Sequence, residues 1–190
     1  MRPGILRSTD VHIDSPMRLH LKMGLMFSLF SLALPPGLLA QHADSMQAPF
    51  RRFPTVPPLN LLKVDSVSYL TNKDLKKGRL TMIIYFSPEC EHCKHQTEDL
   101  LASMDQFKNI EIVMATLQPF TEMKDFYNYY RIAEHPNIKM GRDEKAVLPG
   151  FYRIRSLPYI ALYDKKGNFI TSFEGNQKTS TLLTAFNKAD

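Results

Sequence analysis

The feature that most limits the folds open to this chain of 190 residues is a continuous apolar run at residues 80–86, bounded by Gly78 and Pro88. Its side chains are mostly branched or aromatic, and a run without polar alternation is typical of a strand that is buried on both faces. Such a strand lies inside a sheet that helices cover on either side. The run therefore predicts an α/β protein.

The pattern around this run alternates strands with helices. Two short apolar segments before it predict a hairpin, and two after it, joined by Asp164-Lys165-Lys166-Gly167, predict another. Together they predict a central mixed β-sheet flanked by helices, with an N-terminal β-hairpin extension. The predicted strands are residues 61–64, 66–70, 80–86, 110–115, 159–163 and 168–173, and the predicted helices are residues 72–77, 90–107, 122–132, 142–152 and 179–189.

Composition excludes several classes of protein. Apolar residues make up 44% and charged residues 23% of the chain, which is unlike a disordered, collagen-like or coiled-coil protein. The net charge of +5 is small and no long Lys/Arg run is present, which argues against nucleic acid as a partner. Two cysteines cannot form a disulfide-dense miniature fold or a four-thiolate zinc site.

Residues 1–40 have the pattern of a secretory signal sequence. A basic segment precedes an almost wholly apolar stretch that ends at Ala40, where the chain turns polar, and Met17 is the expected true start. The alternative is a retained membrane anchor, although the unbroken apolar stretch at residues 24–34 has 11 residues, against about 20 for a membrane span. Both interpretations predict a periplasmic or otherwise extracytoplasmic protein, attached to a membrane only if the segment is retained.

Residues 41–58 contain four prolines and predict an extended linker without helix. The predicted folded domain is therefore residues 59–190.

The chemistry of the chain is concentrated in Cys90-Glu91-His92-Cys93, at the junction of the buried strand and a helix. Cys90 is predicted at the helix N-terminus, where unpaired backbone N–H groups and the helix dipole stabilise a thiolate. Cys93, one turn later, is predicted to be more buried and on the same side. One thiolate can then attack a partner's disulfide while the second resolves the mixed disulfide.

Two other interpretations of the cysteine pair remain open. A structural disulfide is disfavoured, since a bridge that closes so short a loop contributes only roughly 2 kcal/mol. A metal site would combine the two thiolates with His92 or His95, but a closed zinc site needs four ligands and no second pair is visible. We expect no metal and no cofactor.

The stretch Phe86-Ser87-Pro88-Glu89-Cys90-Glu91-His92-Cys93 resembles the active site of the thioredoxin-like proteins, and is most similar to the secreted TlpA-like thiol–disulfide oxidoreductases. Residues 146–167 are similar to the C-terminal half of that family, and the resemblance covers residues 59–190. It implies a thioredoxin-like fold. It also implies a cis Leu157-Pro158 bond beside the cysteines, with the backbone of Leu157 presented to a substrate strand. The alternative is an ordinary trans proline that opens an edge strand.

Three residues depart from the family pattern. Glu89 replaces the usual aromatic residue before the first cysteine, Ile84 replaces a buried acidic residue, and Gln96 replaces a glutamate that is frequent in TlpA-like proteins. The group that deprotonates Cys93 is therefore left open between Glu91, Glu89 and a water.

The residues around the motif are expected to tune its redox potential. A protonated His92 would stabilise the Cys90 thiolate and make the protein more oxidising, whereas Glu91 and Glu89 would oppose this. Opposed charges predict a potential between roughly −270 mV and −120 mV.

The leading hypothesis is an enzyme that exchanges thiols and disulfides with other extracytoplasmic proteins and depends on an upstream redox partner. Three alternatives are a thiol peroxidase, a Cu(I)-handling assembly protein and a redox-inert binding module. The peroxidase is disfavoured because Ile83 occupies the place of the proline in peroxidatic motifs.

Overall fold

The computed structural model describes residues 47–188. The signal sequence or anchor predicted for residues 1–40 lies outside the described residues, as does the start of the predicted linker. Within residues 47–188, no helix has both the length and the apolar character needed to cross a membrane.

The fold is built on a seven-stranded sheet with the order β2-β1-β5-β4-β3-β6-β7. Strands β3, β4 and β5 are parallel to one another and all other neighbouring pairs are antiparallel, so the sheet is mixed, as predicted. The strands are β1 Asn60–Lys63, β2 Tyr69–Thr71, β3 Leu80–Tyr85, β4 Ile110–Thr116, β5 Ile138–Arg142, β6 Tyr159–Tyr163 and β7 Phe169–Glu174. The helices are α1 Pro49–Arg52, α2 Glu91–Ala102, α3 Met104–Phe107, α4 Phe120–Tyr129, α5 Val147–Tyr152 and α6 Thr179–Asn187, with 3₁₀ turns at Asn72–Asp74 and Ile132–Glu134.

The central strand β3 separates two apolar layers. Met82 and Ile84 face the larger core, which receives side chains from α2, α3, α4 and α6. Ile83 and Tyr85 face the second core, which α1, α5 and the β1–β2 hairpin cover. Because successive side chains of a strand point to opposite faces, a strand between two such layers is expected to be mainly apolar, as this one is apart from Thr81.

Strand β5 is absent from the sequence prediction, and the structure corrects the helix predicted for residues 142–152. Arg142 ends β5, and α5 begins only at Val147. The buried carboxylate of Asp143 accepts hydrogen bonds from the backbone N–H groups of Val147 and Leu148 at 3.0 and 2.8 Å. These bonds satisfy amides that have no partner within the helix, and they set its start.

The described end of the predicted linker also differs from expectation. Residues Pro49–Arg52 form the short helix α1, with proline in its first turn, where the missing N–H is no loss. Phe50 is 9% exposed and packs against Tyr152 and Phe169. Burial of this ring explains why the segment is folded onto the domain in spite of its prolines.

Candidate active site

The site is built at the carboxyl end of β3, where the chain passes into α2. The Cys90 N–H donates to the carbonyl of Ser87 at 3.1 Å, which closes a turn directly before the helix. Cys90 is the N-cap residue of α2 with extended backbone angles, and its carbonyl accepts from the N–H groups of Cys93 and Lys94 at 2.9 and 3.0 Å. The predicted place of Cys90 at a helix N-terminus is confirmed.

The two cysteines are both free thiols but differ in access to solvent. Cys90 is half-buried, whereas Cys93 is 1% exposed. Burial, followed by a hydrogen bond with Cys90, raises the pKa of Cys93 to about 12, although a hydrogen bond from the Ser87 backbone acts in the opposite direction. An accessible sulfur therefore lies in hydrogen-bond contact with an inaccessible one.

The Leu157-Pro158 peptide bond is cis, the conformation that the family resemblance implies. Pairing of Tyr85 with Tyr159 across the antiparallel strands β3 and β6 places Pro158 at the same end of the sheet as residues 86–90. Leu157 and Cys90 pack against the same apolar core. The topology thus brings together two segments that are far apart in sequence.

The three predicted redox-tuning residues, Glu89, Glu91 and His92, are all exposed. Lys94 donates a hydrogen bond to Glu91 Oε1 at 2.8 Å and lowers the pKa of this carboxyl. Glu91 is therefore charged and paired outside the core, whereas the neighbours that shift the pKa of the buried Cys93 are Cys90 and the Ser87 backbone.

Gln96 has a structural role that its sequence interpretation, a departure from the family pattern, does not include. It is 2% exposed, accepts from the Gln177 N–H at 2.7 Å and donates to the Gln177 carbonyl at 3.2 Å. This reciprocal pair fastens α2 to the segment between β7 and α6. The signal was present in the sequence, since Gln96 lies in the buried stripe of α2 that also contains Cys93, Thr97 and Leu100.

The potential metal ligands of the site do not converge. Among residues 47–188, no group of three or more His, Cys, Asp or Glu side chains could hold a metal ion. His92 and His95 are exposed, and His95 Nδ1 lies 3.3 Å from Glu98 Oε2.

Comparison with known proteins agrees with this architecture. Residues 78–169 match a family model described as thioredoxin-like, whereas no curated protein sequence matches the chain. The fold is similar to that of StoA from Bacillus subtilis, with 20% identity, a TM-score of 0.53, and coverage of 70% of this chain and 98% of the other.

Two solved structures from Mycobacterium tuberculosis are also similar. With dsbF, described in mixed oxidised and reduced forms, the identity is 16%, the TM-score is 0.59, and coverage is 72% of this chain and 100% of the other. With a secreted disulfide oxidoreductase homologous to Escherichia coli DsbE, the corresponding values are 14%, 0.56, 67% and 93%. The fold of this chain is therefore thioredoxin-like, similar to that of these three solved structures, and residues 78–169 match the thioredoxin-like family model.

Proposed function

We propose that this protein is an extracytoplasmic thiol–disulfide oxidoreductase that exchanges the Cys90–Cys93 dithiol or disulfide with cysteines of other proteins. One observation carries the proposal: a half-buried cysteine at the amino end of α2 is in hydrogen-bond contact with a second cysteine that is 1% exposed. A nucleophile must be reachable by a partner protein, whereas a resolving thiol has only to reach the first sulfur.

The reaction has two displacement steps. The Cys90 thiolate attacks one sulfur of a substrate disulfide, the substrate S–S bond breaks, and the released substrate thiolate takes up a proton. Cys93, once deprotonated, then attacks the Cys90 sulfur, which frees the second substrate thiol and leaves the Cys90–Cys93 disulfide. Two electrons pass from the protein to the substrate, and the reverse sequence oxidises a substrate dithiol.

Substrate presentation is proposed for the segment around the cis bond. The backbone of Leu157, at the end of the sheet where Cys90 lies, is suited to pair with an extended substrate segment. The signal or anchor expected at residues 1–40 supports an extracytoplasmic location, and one structural neighbour is described as secreted.

Two variants test the proposal. The reduced protein should cleave a small disulfide substrate, and Cys90→Ser should abolish this activity, since the attacking sulfur is lost. Cys93→Ala should form mixed disulfides on Cys90 that persist, because the resolving thiol is absent. Retention of the wild-type rate by Cys90→Ser, or stoichiometric Cu(I) binding in place of exchange, would contradict the proposal.

A further inference from the structure

A basic cavity of about 620 Å³ lies next to the proposed site, with Tyr152 and Tyr159 in its wall. Tyr159 directly follows Pro158, so the cavity begins one residue from the segment proposed to present the substrate. Both tyrosines belong to the core on the face of the sheet opposite Cys93. The cavity therefore adjoins the Leu157-Pro158 segment in the chain but lies on the face of the sheet opposite Cys93.

Arginine dominates the charge of this cavity. Arg51, Arg153 and Arg155 line it, and among the described residues Glu174 is the one acidic side chain in its wall. Arg155 Nε lies 3.7 Å from Glu174 Oε1, but 86% of the Arg155 side chain remains exposed. Arg153 donates to the carbonyl of Gln47 at 3.2 Å. Among the described wall residues, Arg51 and Arg155 alone outnumber the one carboxylate, and their guanidinium groups suit carboxylate ligands.

The same cavity borders the outer edge of the sheet, since β7 is the last strand among the described residues and contributes Ser172, Phe173 and Glu174 to the wall. Residues 54–56 pair with the start of this edge, at Asn168 and Phe169. The Gly175 N–H donates inward to the Pro158 carbonyl at 2.8 Å. Because backbone groups alternate sides along an antiparallel strand, the N–H and C=O groups of Glu174 and Ser172 point away from β6. An extended polypeptide can pair with these groups.

We propose that this cavity and the adjacent edge of β7 dock an acidic, extended segment of the protein that exchanges disulfides with Cys90. The proposal rests on the proposed function and names its substrate class: proteins with an Asp/Glu-rich stretch close to the reacting cysteine. The edge of β7 supplies backbone hydrogen bonds, and the arginines bind the carboxylates of the docked segment. A small anion would contact the arginines but would form no backbone hydrogen bonds with the edge of β7.

The first test measures binding without any redox step. A fluorescent, cysteine-free peptide rich in Asp and Glu is titrated with the full chain, and its affinity should fall as salt is added. Arg51→Gln with Arg155→Gln should weaken binding by roughly three- to thirtyfold, since exposed ion pairs contribute modestly. The control, Lys77→Gln with Lys108→Gln, removes the same charge from exposed positions before β3 and β4, at the opposite end of the sheet, and should change the affinity less than twofold. Equal effects of the two double variants would overturn the proposal.

A second variant tests the strand edge. Ser172→Pro removes an outward N–H at an edge position, where proline is tolerated, and should weaken binding of the acidic peptide while all arginines remain. Unchanged binding would overturn docking along β7. A dimer of this chain that dissociates in this variant would also overturn the proposal, because a second copy would then occupy the edge.

Exchange kinetics separate the failure of this inference from the failure of the proposed function. Two disulfide peptides are compared that differ only in Asp/Glu or Gln residues beside the cysteine. We expect faster exchange with the acidic peptide and loss of this preference in the Arg51→Gln, Arg155→Gln variant. Exchange without preference would overturn the docking proposal alone, whereas absence of exchange with both peptides would contradict the proposed function.

Discussion

At the scale of single residues, the two sulfurs differ in ways that an alkylation experiment can measure. The pKa of the buried Cys93 is raised to about 12, so its thiolate fraction falls about tenfold for each pH unit below that value. In the native, reduced protein at pH 8, iodoacetamide should therefore modify Cys90 and leave Cys93 almost untouched. Modification of Cys93 should rise as the pH approaches 12. Peptide mass spectrometry measures both.

The unfolded protein is the control for this prediction. In guanidinium chloride at pH 8 both cysteines should react at similar rates, because burial and the contact with Cys90 are lost. Equal labelling of the two cysteines in the native protein at pH 8 would contradict the assignment of Cys93 as the protected, resolving thiol.

His92 provides a second prediction at this scale, for the reduction potential. Glu91 is paired with Lys94, so its charge is partly neutralised, and the exposed His92, when protonated, should have more effect on the Cys90 thiolate. His92→Gln should lower the potential by roughly 5–20 mV, the equivalent of one exposed charge interaction. His95→Gln, one turn further on and beside Glu98, should have a smaller effect. Equilibration with a glutathione buffer measures both, and a rise in the His92→Gln potential would contradict the prediction.

At the scale of elements, the attachment of α2 depends on Gln96. Gln96→Ala leaves the N–H and the carbonyl of Gln177 without their side-chain partner, and it should lower the free energy of unfolding by about 1–3 kcal/mol. Asp99→Ala changes an exposed residue of the same helix and should stay within about 0.5 kcal/mol of the wild type. Chemical denaturation measures both variants. Equal, small changes would show that the Gln177 contact does not hold the helix.

The elements that were predicted correctly have a clear signal in their own local sequence. Strand β3 is apolar apart from Thr81, and the β6–β7 hairpin has a turn with Gly167 at a positive φ. Strand β5 has no such pattern in its own sequence, because contacts with residues far away in the chain determine its position in the sheet. Lys139 forms an ion pair with the buried Glu111, and a Cβ at position 141 would lie 2.7 Å from the Leu61 Cβ, so only glycine allows β1 to pair here.

The residues of the candidate site also fall into those with a local sequence signal and those whose contacts depend on the folded structure. Cys90, Cys93 and Pro158 could be identified because their spacing and the elements around them carry the signal. The partnership of Gln96 with Gln177 could not, since it joins residues 81 positions apart through a loop whose path depends on the folded sheet. Pairing of Glu91 with Lys94 is local, but the prediction of Glu91 as a redox-tuning residue does not include this pairing.

At the scale of the whole molecule, the question is where the folded domain begins. The sequence predicts a start at residue 59, whereas α1 packs Phe50 against Tyr152 and Phe169, with ring centroids 6.0 and 5.1 Å away. Residues 54–56 also pair with the turn before β7 and with its first residue, since the Val56 N–H donates to the Gly167 carbonyl and the Phe169 N–H donates to the Pro54 carbonyl. The segment thus closes one side of the second core rather than joining two independent parts.

Two neighbouring phenylalanines test this start of the domain. Phe50→Ala should lower the free energy of unfolding by about 2–4 kcal/mol, because the ring is 9% exposed and leaves a cavity among aromatic side chains. Phe53→Ala, three residues later, should change it by less than about 1 kcal/mol, since that ring is 60% exposed. The two substitutions remove the same atoms from the same segment. An extended linker would therefore make their effects equal and small, whereas a folded segment separates them by at least about 1 kcal/mol in denaturant titrations.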